Sequence, residues 1–281
     1  MSGSELGGGP EDLEPLGRGL VGLRRRALQE LASVRIFSDQ FLTKFLRARD
    51  LDVELSLKLL LNYQRWRRES PEISRCLSPS SVLGLLNTTY HAVLPQRTTA
   101  AAGCSSTGSV FSVSLMTSEI ISMETETQTQ GLKAIFDLQG WSLGHALQFN
   151  PSLARKISSV LSDSFPLKVR GIHLVNEPMF FQPVFAMIRP FLPDKIRKRI
   201  HMHGADFKET LSDFFSPSVL PPEYGGEGPG IEGVCQAWTN KLLQSEAVLQ
   251  QIATHPTGDI TIPPEDCWIS ETVEAEQLLE G

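Results

Sequence analysis

The chain has 281 residues, of which 41% are hydrophobic and 21% are charged, and its formal net charge at pH 7 is −6. This length accommodates one large domain, or a small domain followed by a larger one. No run reaches the roughly 18 apolar residues of a membrane-spanning helix, and the first residues lack the pattern of a secretory signal. Four widely spaced cysteines without a Cys-x-x-Cys pair favour a reduced, cytoplasmic protein over a disulfide framework.

The charge is distributed unevenly along the chain. Residues 18–68 contain 12 Lys and Arg against 5 Asp and Glu, whereas residues 246–281 contain 8 Asp and Glu and no Lys or Arg. A basic front can contact phosphates or anionic lipid, although such a cluster is more often a solvated helix face. Residues 1–17 begin Gly-rich and acidic, and residues 253–281 are acidic, so we expect both ends to be disordered.

Residues 18–90 have the pattern of a small helical bundle, because apolar residues recur at helical spacing. Ser38-Asp39 and Asp52 precede two of the helices, where such side chains cap free backbone N–H groups. The predicted helices are Leu20–Leu31, Gln40–Arg49, Val53–Glu69 and a shorter one from Ser78 to Leu86.

Residues 91–252 alternate strand and helix patterns, which is typical of an α/β domain with a mostly parallel sheet. Residues 95–109 are rich in Ala, Ser, Thr and Gly and predict a flexible loop. The predicted strands are Lys133–Leu138, Gly171–Val175 and Arg199–His203, and the predicted helices are Phe111–Gln130, Asn150–Asp163, Asp206–Phe215 and Gly233–Gln251.

The segment after Pro178 predicts a short helix with an unusually wide apolar arc. At about 100° per residue its apolar side chains cover roughly 160°, more than one packing contact of an ordinary surface helix uses. Three prolines interrupt it, so a movable cover that meets lipid is one interpretation and a buried core helix is the other. The apolar positions are Phe180, Phe181, Val184, Phe185, Ile188 and Phe191.

Candidate catalytic and metal-binding residues are few. His201-x-His203 could form a metal pair, but no third ligand is close in sequence, so structural histidines are the better interpretation. Asp137 ends a strand without a neighbouring base or nucleophile, which favours a turn-bonding aspartate. The glycines of residues 225–230 do not match a dinucleotide fingerprint, and no nucleophile elbow or phosphate-cradling loop occurs. We therefore expect neither an enzyme nor a cofactor or metal.

Apolar residues with a few hydroxyls recur on the elements that should converge beneath the apolar helix. Such a composition suits a closed hydrophobic pocket with a few orienting polar groups, and it equally suits ordinary core packing. The residues are Phe111, Ser114, Ser118, Leu132, Phe136, Ile157, Val160, Leu161 and Phe165.

Several stretches together resemble one family. They are Phe41-Leu-Thr-Lys-Phe-Leu-Arg-Ala-Arg, Tyr63-Gln-Arg-Trp-Arg, Lys133-Ala-Ile-Phe-Asp-Leu-Gln-Gly-Trp, Asp163-Ser-Phe-Pro-Leu-Lys-Val-Arg-Gly-Ile-His-Leu-Val-Asn-Glu-Pro and Leu220-Pro-Pro-Glu-Tyr-Gly-Gly. Over about residues 20–249 the chain resembles the CRAL-TRIO lipid-transfer family. The resemblance implies a small N-terminal helical domain, then an α/β lipid-binding domain with a lid helix, and non-enzymatic lipid transfer between membranes.

Within the family, Ile200-His-Met-His-Gly and the helix around Ser118-Glu119 are most similar to members that carry alpha-tocopherol (vitamin E). The resemblance adds Leu167 to the pocket residues above and places the lid at about residues 176–199. It also implies a face that binds phosphatidylinositol bisphosphate and favours ligand release, with transient association to endosomal or plasma membranes. That face comprises Lys168, Arg170, Lys195 and Arg199, with help from Arg67.

One stretch departs from the family pattern. Between Leu94 and Phe111 the family has a longer segment that carries the first strands of the lipid domain, whereas this chain has a short Ala/Ser/Thr/Gly stretch. We therefore expect the sheet to lose a strand or two and part of the pocket wall. Two alternatives stay open: a carrier of another lipid (a retinoid, a squalene-like hydrocarbon or phosphatidylinositol), and a phosphoinositide-binding interaction module with an incomplete pocket.

Overall fold

The computed structural model describes residues 13–31, 37–74, 76–88, 91–94, 98–102, 107–147, 155, 158–160 and 164–254. A bundle of helices comes first, and a five-stranded sheet with helices around it follows. The predicted fold class, a helical bundle followed by an α/β domain with a mostly parallel sheet, is confirmed.

The N-terminal helices form because each has an apolar stripe and, for two of them, a side-chain cap. Ser38 Oγ accepts a hydrogen bond from Phe41 N at 3.2 Å, and Asp52 Oδ1 accepts one from Leu55 N at 2.9 Å, so both predicted caps are confirmed. The helices are α1 (Leu13–Glu30), α2 (Asp39–Ala48), α3 (Val53–Glu69) and α4 (Pro71–Ser74), followed by a 3₁₀ turn (Pro79–Val82) and α5 (Leu83–Leu86).

The first helix begins earlier than predicted. Because α1 starts at Leu13, the predicted disorder of residues 1–17 is wrong for residues 13–17, while residues 1–12 lie outside the described part of the chain. Gly17 and Gly19 lie inside this helix, and the Gly19 backbone packs closely on Leu46. Packing against α2 therefore outweighs the poor helix propensity of glycine.

The Ala- and Thr-rich stretch contains a strand that the sequence did not predict. Strand β2 (Thr98–Ala102) pairs antiparallel with β1 (His91–Leu94) and parallel with β3 (Leu132–Asp137). The loop prediction for residues 95–109 is wrong for residues 98–102, because pairing on both sides outweighs the weak strand propensity of alanine, and for residues 107–109, which begin a helix. Residues 95–97 and 103–106 lie outside the described part of the chain.

The predicted helix over residues 111–130 is two helices, α6 (Thr107–Ile121) and α7 (Thr125–Gln130). Ser122 Oγ donates to the Glu119 carbonyl at 2.8 Å, and the backbone of Glu124 is extended. A hydroxyl that bonds the preceding turn in this way competes with helix continuation, which accounts for the break.

The sheet has the strand order β1-β2-β3-β4-β5, and β2, β3, β4 (Val169–Val175) and β5 (Ile200–Met202) are parallel. Alternate residues face opposite sides of a strand. In β4, Ile172 and Leu174 therefore face one side and His173 and Val175 the other. Each side carries its own apolar cluster, so the sheet is covered on both faces.

The remaining helices connect and cover the strands. They are α8 (Leu143–Ala146), α9 (Phe181–Ile188) with a 3₁₀ turn (Arg189–Phe191), α10 (Asp194–Arg197), α11 (Phe207–Leu211), a 3₁₀ turn (Pro222–Tyr224), α12 (Ile231–Gln244) and α13 (Glu246–Thr254). The predicted helix over residues 233–251 is thus divided at Ser245. Most of the predicted helix over residues 150–163, and residues 255–281 of the predicted tail, lie outside the described residues.

The largest core cluster joins the N-terminal helices to the α/β domain. It contains Phe45 and Leu60 from the bundle, Met116 from α6, Leu242 from α12 and Leu249 from α13, each 0% exposed. A continuous core across this boundary favours one fixed arrangement of the two parts.

Candidate functional site

The predicted lid, residues 176–199, covers one face of the sheet. Phe181, Val184 and Ile188 of α9 are buried and belong to the same apolar cluster as Ile172 and Leu174 of β4. Phe185 and Phe191 are half-buried against this cluster. Of the six predicted lid positions, five are buried or half-buried, and the sixth, Phe180, is 38% exposed.

Apolar side chains also point away from this cluster. Met179 is 95% exposed and Met187 is 40% exposed. Leu143 at the start of α8 and Leu147 just after it are exposed as well. We call Leu143, Leu147, Met179, Phe180 and Met187 the apolar rim.

Two aromatic contacts connect Trp141 to the lid. The Trp141 ring stacks on Phe180 with centroids 5.9 Å apart and meets Phe181 edge-on at 5.2 Å. Trp141 lies just before α8, so its ring connects the lid to the segment that contains the exposed Leu143 and Leu147.

A carboxylate fixes the beginning of the lid. Asp137 Oδ1 accepts hydrogen bonds from Gln139 N and from Asn176 Nδ2, both at 2.9 Å, and Asp137 Oδ2 accepts one from Tyr224 Oη at 3.3 Å. The prediction of a turn-bonding aspartate is confirmed. Asn176 has a φ of +54°, a left-handed conformation that asparagine tolerates better than most residues.

The far part of the lid has a different attachment. The Ser158 hydroxyl donates to the Phe191 carbonyl, and the Arg155 guanidinium lies 5.2 Å from the centre of the Phe191 ring. In the middle, Gln182 Nε2 donates to Met202 Sδ at 3.3 Å. These contacts are single neutral or cation–π interactions, and each is worth on the order of 1 kcal/mol.

The structure divides the predicted pocket residues between two clusters. Phe136 belongs to the cluster beneath the lid, whereas Leu132 and Phe165 are buried in the core that joins the N-terminal helices, with Val160 and Leu167 partly buried against it. The side chain of Phe111, and residues Ile157 and Leu161, lie outside the described part of the chain.

Phe165 is the clearest case of core packing. Its ring meets Tyr63 edge-on at 5.6 Å and Trp66 at 5.4 Å, and it is 3% exposed. Since both partners belong to α3, Phe165 is an interdomain contact rather than a residue beneath the lid. The motif that contains it is therefore important for attaching the helical bundle.

The two predicted hydroxyls are half-buried on α6. Ser118 Oγ donates to the Ser114 carbonyl at 2.8 Å, which leaves its lone pairs as hydrogen-bond acceptors. A phenol or alcohol that reached Ser118 would therefore donate to it.

Basic side chains meet around one aspartate. Lys168 Nζ lies 2.6 Å from Asp50 Oδ1. The hydrogen bond from Lys168, followed by the charges of Lys168, Arg170 and Lys195, lowers the pKa of Asp50 below its ordinary value. Arg170 Nε also donates to the Gln130 carbonyl at 3.1 Å, and Arg199 donates to the Val169 carbonyl. We call Lys168, Arg170 and Lys195 the basic face. Arg199, which the resemblance also assigned to it, is used instead to bond the backbone at the start of β4.

Arg67 does not belong to the basic face, which corrects the sequence prediction. It is 4% exposed, and its Nη1 donates to Glu119 Oε1 and to Tyr63 Oη, both at 3.0 Å. Its Nη2 donates to the carbonyls of Ser74 and Ile252 at 3.0 and 2.7 Å. Tyr63, Trp66 and Arg67 lie on the packed side of α3, so the guanidinium points into the protein.

Glu119 is the centre of this buried cluster. Its carboxylate is fully buried, accepts a hydrogen bond from Tyr63 Oη at 2.9 Å, and has Lys44 Nζ at 3.7 Å. Burial lowers the pKa of Lys44, and the nearby Glu119 charge opposes that shift. The carboxylate thus joins α2, α3 and α6 at one point, and sequence reasoning missed it because its partners are distant in the chain.

The predicted histidine pair has a third member, His173. The ring centres of His173 and His201 are 5.0 Å apart, and His173 Nδ1 lies 3.0 Å from His203 Nε2. Burial, followed by the other two imidazoles, lowers the pKa of His173 to about 3. Within the described ranges no group of His, Cys, Asp or Glu is arranged to hold a metal ion.

Comparison with known protein families gives a match over much of this chain. The model of the CRAL/TRIO domain matches residues 84–226, about half of the chain, from α5 through the turn after Tyr224. The chain belongs to the CRAL/TRIO family. The matched residues include the whole sheet, the lid and the basic face, and the predicted resemblance is confirmed.

Curated relatives align with a longer part of this CRAL/TRIO chain. The alpha-tocopherol transfer protein-like protein of Mus musculus is 36% identical over 223 residues, which are 74% of this chain and 63% of the relative. The Homo sapiens protein of the same name matches at 36% over 64% of its length, and clavesin-1 of Xenopus laevis at 29% over 70%. The chain thus spans slightly less than two thirds of the first relatives.

A solved structure, that of Sfh5, matches 84% of this chain and 98% of its own at 12% identity, with a TM-score of 0.45 that is too low to bear on the fold. Among the helices that the structure describes, none is long and apolar enough to cross a membrane.

Proposed function

We propose that this CRAL/TRIO protein is a non-enzymatic carrier that encloses alpha-tocopherol and moves it between membranes. The observation that carries the proposal is the lid, which packs Phe181, Val184 and Ile188 on the sheet while the apolar rim stays exposed. A cover that is apolar on both sides can exchange its contacts with the sheet for contacts with lipid. The name of the relatives that are 36% identical agrees with this ligand.

The energetics favour a hydrophobic cargo. Each buried CH₂ group contributes about 0.8 kcal/mol, so a prenyl-derived chain supplies ample binding free energy. Hydrogen bonds contribute little selectivity, because the Ser118 hydroxyl already donates to Ser114. We therefore expect the shape of the enclosed ring and chain to decide which lipid binds, and no cofactor is needed.

The membrane contact follows from the same surface. We propose that the apolar rim enters the lipid surface while the basic face binds the phosphates of phosphatidylinositol bisphosphate by charge-assisted hydrogen bonds. Phosphate binding favours release only if the open state binds phosphate more tightly than the closed state. Localisation in the cytoplasm, with transient association to endosomal or plasma membranes, is part of this proposal.

A carrier of another lipid is the second candidate. It is favoured by the single hydroxyl acceptor of Ser118, which does not distinguish a phenol from another alcohol. A third possibility, a phosphoinositide-binding module with an incomplete pocket, is favoured by the burial of Leu132 and Phe165 in the interdomain core.

The test is a titration of the purified chain with a fluorescent tocopherol, together with mass spectrometry of lipid that copurifies. We expect saturable binding, and Ser118→Leu should weaken it by blocking part of the space beside α6. Thr129→Leu, which adds the same side chain at an exposed position of α7, is the matched control. Absence of saturable binding by folded protein would exclude the carrier, and a different copurified lipid would favour the second candidate.

A further inference from the structure

The turn between α2 and α3 presents one carboxylate to the basic face. Asp50 is 86% exposed at its side chain, yet its Oδ1 lies 2.6 Å from Lys168 Nζ, across 118 positions of sequence. Lys168, in contrast, is only 15% exposed. The ammonium group that could accept a phosphate from solution is therefore already occupied by an anion of the protein itself.

The backbone holds this carboxylate in place. Asp50 and Leu51 have φ values of +52° and +66°, and Leu51 N donates to the Leu46 carbonyl at 2.8 Å. Asp52 N donates to the Arg49 carbonyl at 3.0 Å, and the Asp52 side chain caps α3. A turn anchored on both sides presents Asp50 at a fixed position, which reduces the entropy lost when it pairs with Lys168.

The surroundings of Asp50 are those of an anion site. Lys168, Arg170 and Lys195 all stabilise its charged form. A carboxylate offers these cations a single negative charge and two oxygens, whereas a phosphate monoester carries about −1.5 to −2 charges and three acceptor oxygens. A phosphate monoester can therefore displace the carboxylate, while a singly charged phosphodiester competes with it on nearly equal terms.

We propose that Asp50 is a specificity-determining residue that competes for the basic face and thereby raises the affinity that an anion needs to occupy it, a requirement that multiply charged phosphates meet and singly charged lipids do not. The inference rests on the proposed binding of phosphoinositides at the basic face. Displacement of Asp50 also frees the α2–α3 turn from Lys168, the residue before β4, so phosphate binding loosens one contact between the helical bundle and the lipid domain.

The test compares Asp50→Asn with the unaltered full chain on two kinds of phosphatidylcholine vesicle. One contains phosphatidylinositol bisphosphate, and the other contains phosphatidylserine at matched surface charge. Asparagine keeps the size of the side chain and tolerates the left-handed turn. Asp50→Gly, which also suits a positive φ, is a second variant in case the first folds poorly.

Asp194→Asn is the matched control, because Asp194 is an exposed aspartate beside Lys195 that pairs with Arg197 instead of Lys168. It changes the net charge equally. We expect Asp50→Asn to bind bisphosphate vesicles about 2- to 5-fold more tightly, since an exposed pair no longer has to be broken. Binding to phosphatidylserine vesicles should increase by a similar factor, because the same Asp50–Lys168 pair is broken for either lipid. At a lipid concentration that saturates the unaltered chain with bisphosphate vesicles, the bound fraction should therefore rise only for phosphatidylserine. Titration with soluble inositol trisphosphate separates recognition of the phosphates from recognition of the membrane.

The outcomes separate this inference from the function it rests on. If Asp50→Asn and Asp194→Asn bind alike, or if the fraction bound to phosphatidylserine vesicles is unchanged, Asp50 is no competitor and the inference fails alone. The double variant Arg170→Glu/Lys195→Glu should abolish the preference for bisphosphate vesicles. If it binds as the unaltered chain does, or if neither the unaltered chain nor Asp50→Asn binds, the basic-face assignment fails and the inference fails with it.

Discussion

Among the described residues, two ionic contacts join the N-terminal helices to the α/β domain, and they differ chiefly in their access to water. In the first, Arg67 and Lys44 meet the fully buried Glu119, and Tyr63 and two backbone carbonyls complete the cluster. In the second, Lys168 meets Asp50, whose side chain is 86% exposed. Both contacts connect the same two parts of the molecule.

Similar ion pairs can therefore have opposite roles in one molecule. A buried carboxylate that loses a partner leaves an uncompensated charge in a medium of low dielectric constant, so the first contact is held permanently. An exposed pair contributes little and is screened by salt, so the second contact can exchange partners. In the proposed arrangement, the rigid attachment and the exchangeable anion site are therefore made from the same chemistry.

The largest effect is expected from Glu119→Gln. This change leaves Arg67 and Lys44 buried beside a neutral amide, and we expect the free energy of unfolding to fall by about 3–5 kcal/mol. Chemical denaturation followed by circular dichroism measures it. Glu126→Gln on the exposed side of α7 is the control. A loss below about 1 kcal/mol would mean that the buried cluster is no stronger than an exposed one.

A smaller effect is expected from Tyr63→Phe. The phenol donates to Glu119 and accepts from Arg67, and hydrogen bonds to charged groups contribute about 1.5–3 kcal/mol. The ring remains packed between Phe45 and Phe165, so the loss of stability should report the hydroxyl alone. An unchanged denaturation midpoint would show that the remaining partners of Glu119 compensate.

The exposed pair should show a small and salt-dependent coupling. A double-mutant cycle with Asp50→Asn and Lys168→Met should give about 0.2–1 kcal/mol at low salt. In 1 M salt the Debye length is about 3 Å, and the coupling should vanish. A coupling that persists in 1 M salt would mean that the Asp50–Lys168 pair is no more sensitive to salt than the buried Glu119 cluster.

The pH dependence of this pair has a definite sign. Because Lys168 lowers the pKa of Asp50 in the folded protein below its ordinary value of 3.8, the contact stabilises the fold above that pH. Its contribution is lost as the pH falls through the lowered folded pKa. The stability of Asp50→Asn should therefore approach that of the unaltered chain as the pH falls from 3.8 through the lowered folded pKa. Thermal unfolding at several pH values measures it, and a constant gap would be inconsistent with titration of this group.

Much of the fold could be predicted from local signals. The caps at Ser38 and Asp52 are encoded within three residues, and the apolar strand at Gly171–Val175 is a short continuous run, so both follow from the sequence. Strand β2 could not be predicted, because Ala and Thr acquire their strand conformation from pairing with β1 and β3.

The candidate site was less predictable than the fold. Apolar periodicity identified Phe181, Val184 and Ile188, but it did not show that Leu132 and Phe165 pack on the helical bundle instead of beneath the lid. Arg67 was assigned to the wrong environment, because a basic residue in an arginine-rich helix gives no local sign of burial.

Glu119 and Asp50 were missed for a related reason. Their partners lie 52 and 118 positions away in sequence, and no pattern within one element indicates such pairs. Only the folded arrangement shows that one carboxylate is enclosed and the other is at the surface.

The Asp137 carboxylate has a consequence for communication within the domain. It bonds Asn176 at the start of the lid and Tyr224 in the turn of residues 220–226, where a side chain on Gly226 would meet the Leu220 carbonyl at 1.9 Å. A displacement of the lid that breaks the bond to Asn176 also alters the anchoring of this tightly packed turn. Amide exchange at residues 224–226 should therefore accelerate together with that of the lid, although these residues do not touch the membrane in the proposed arrangement.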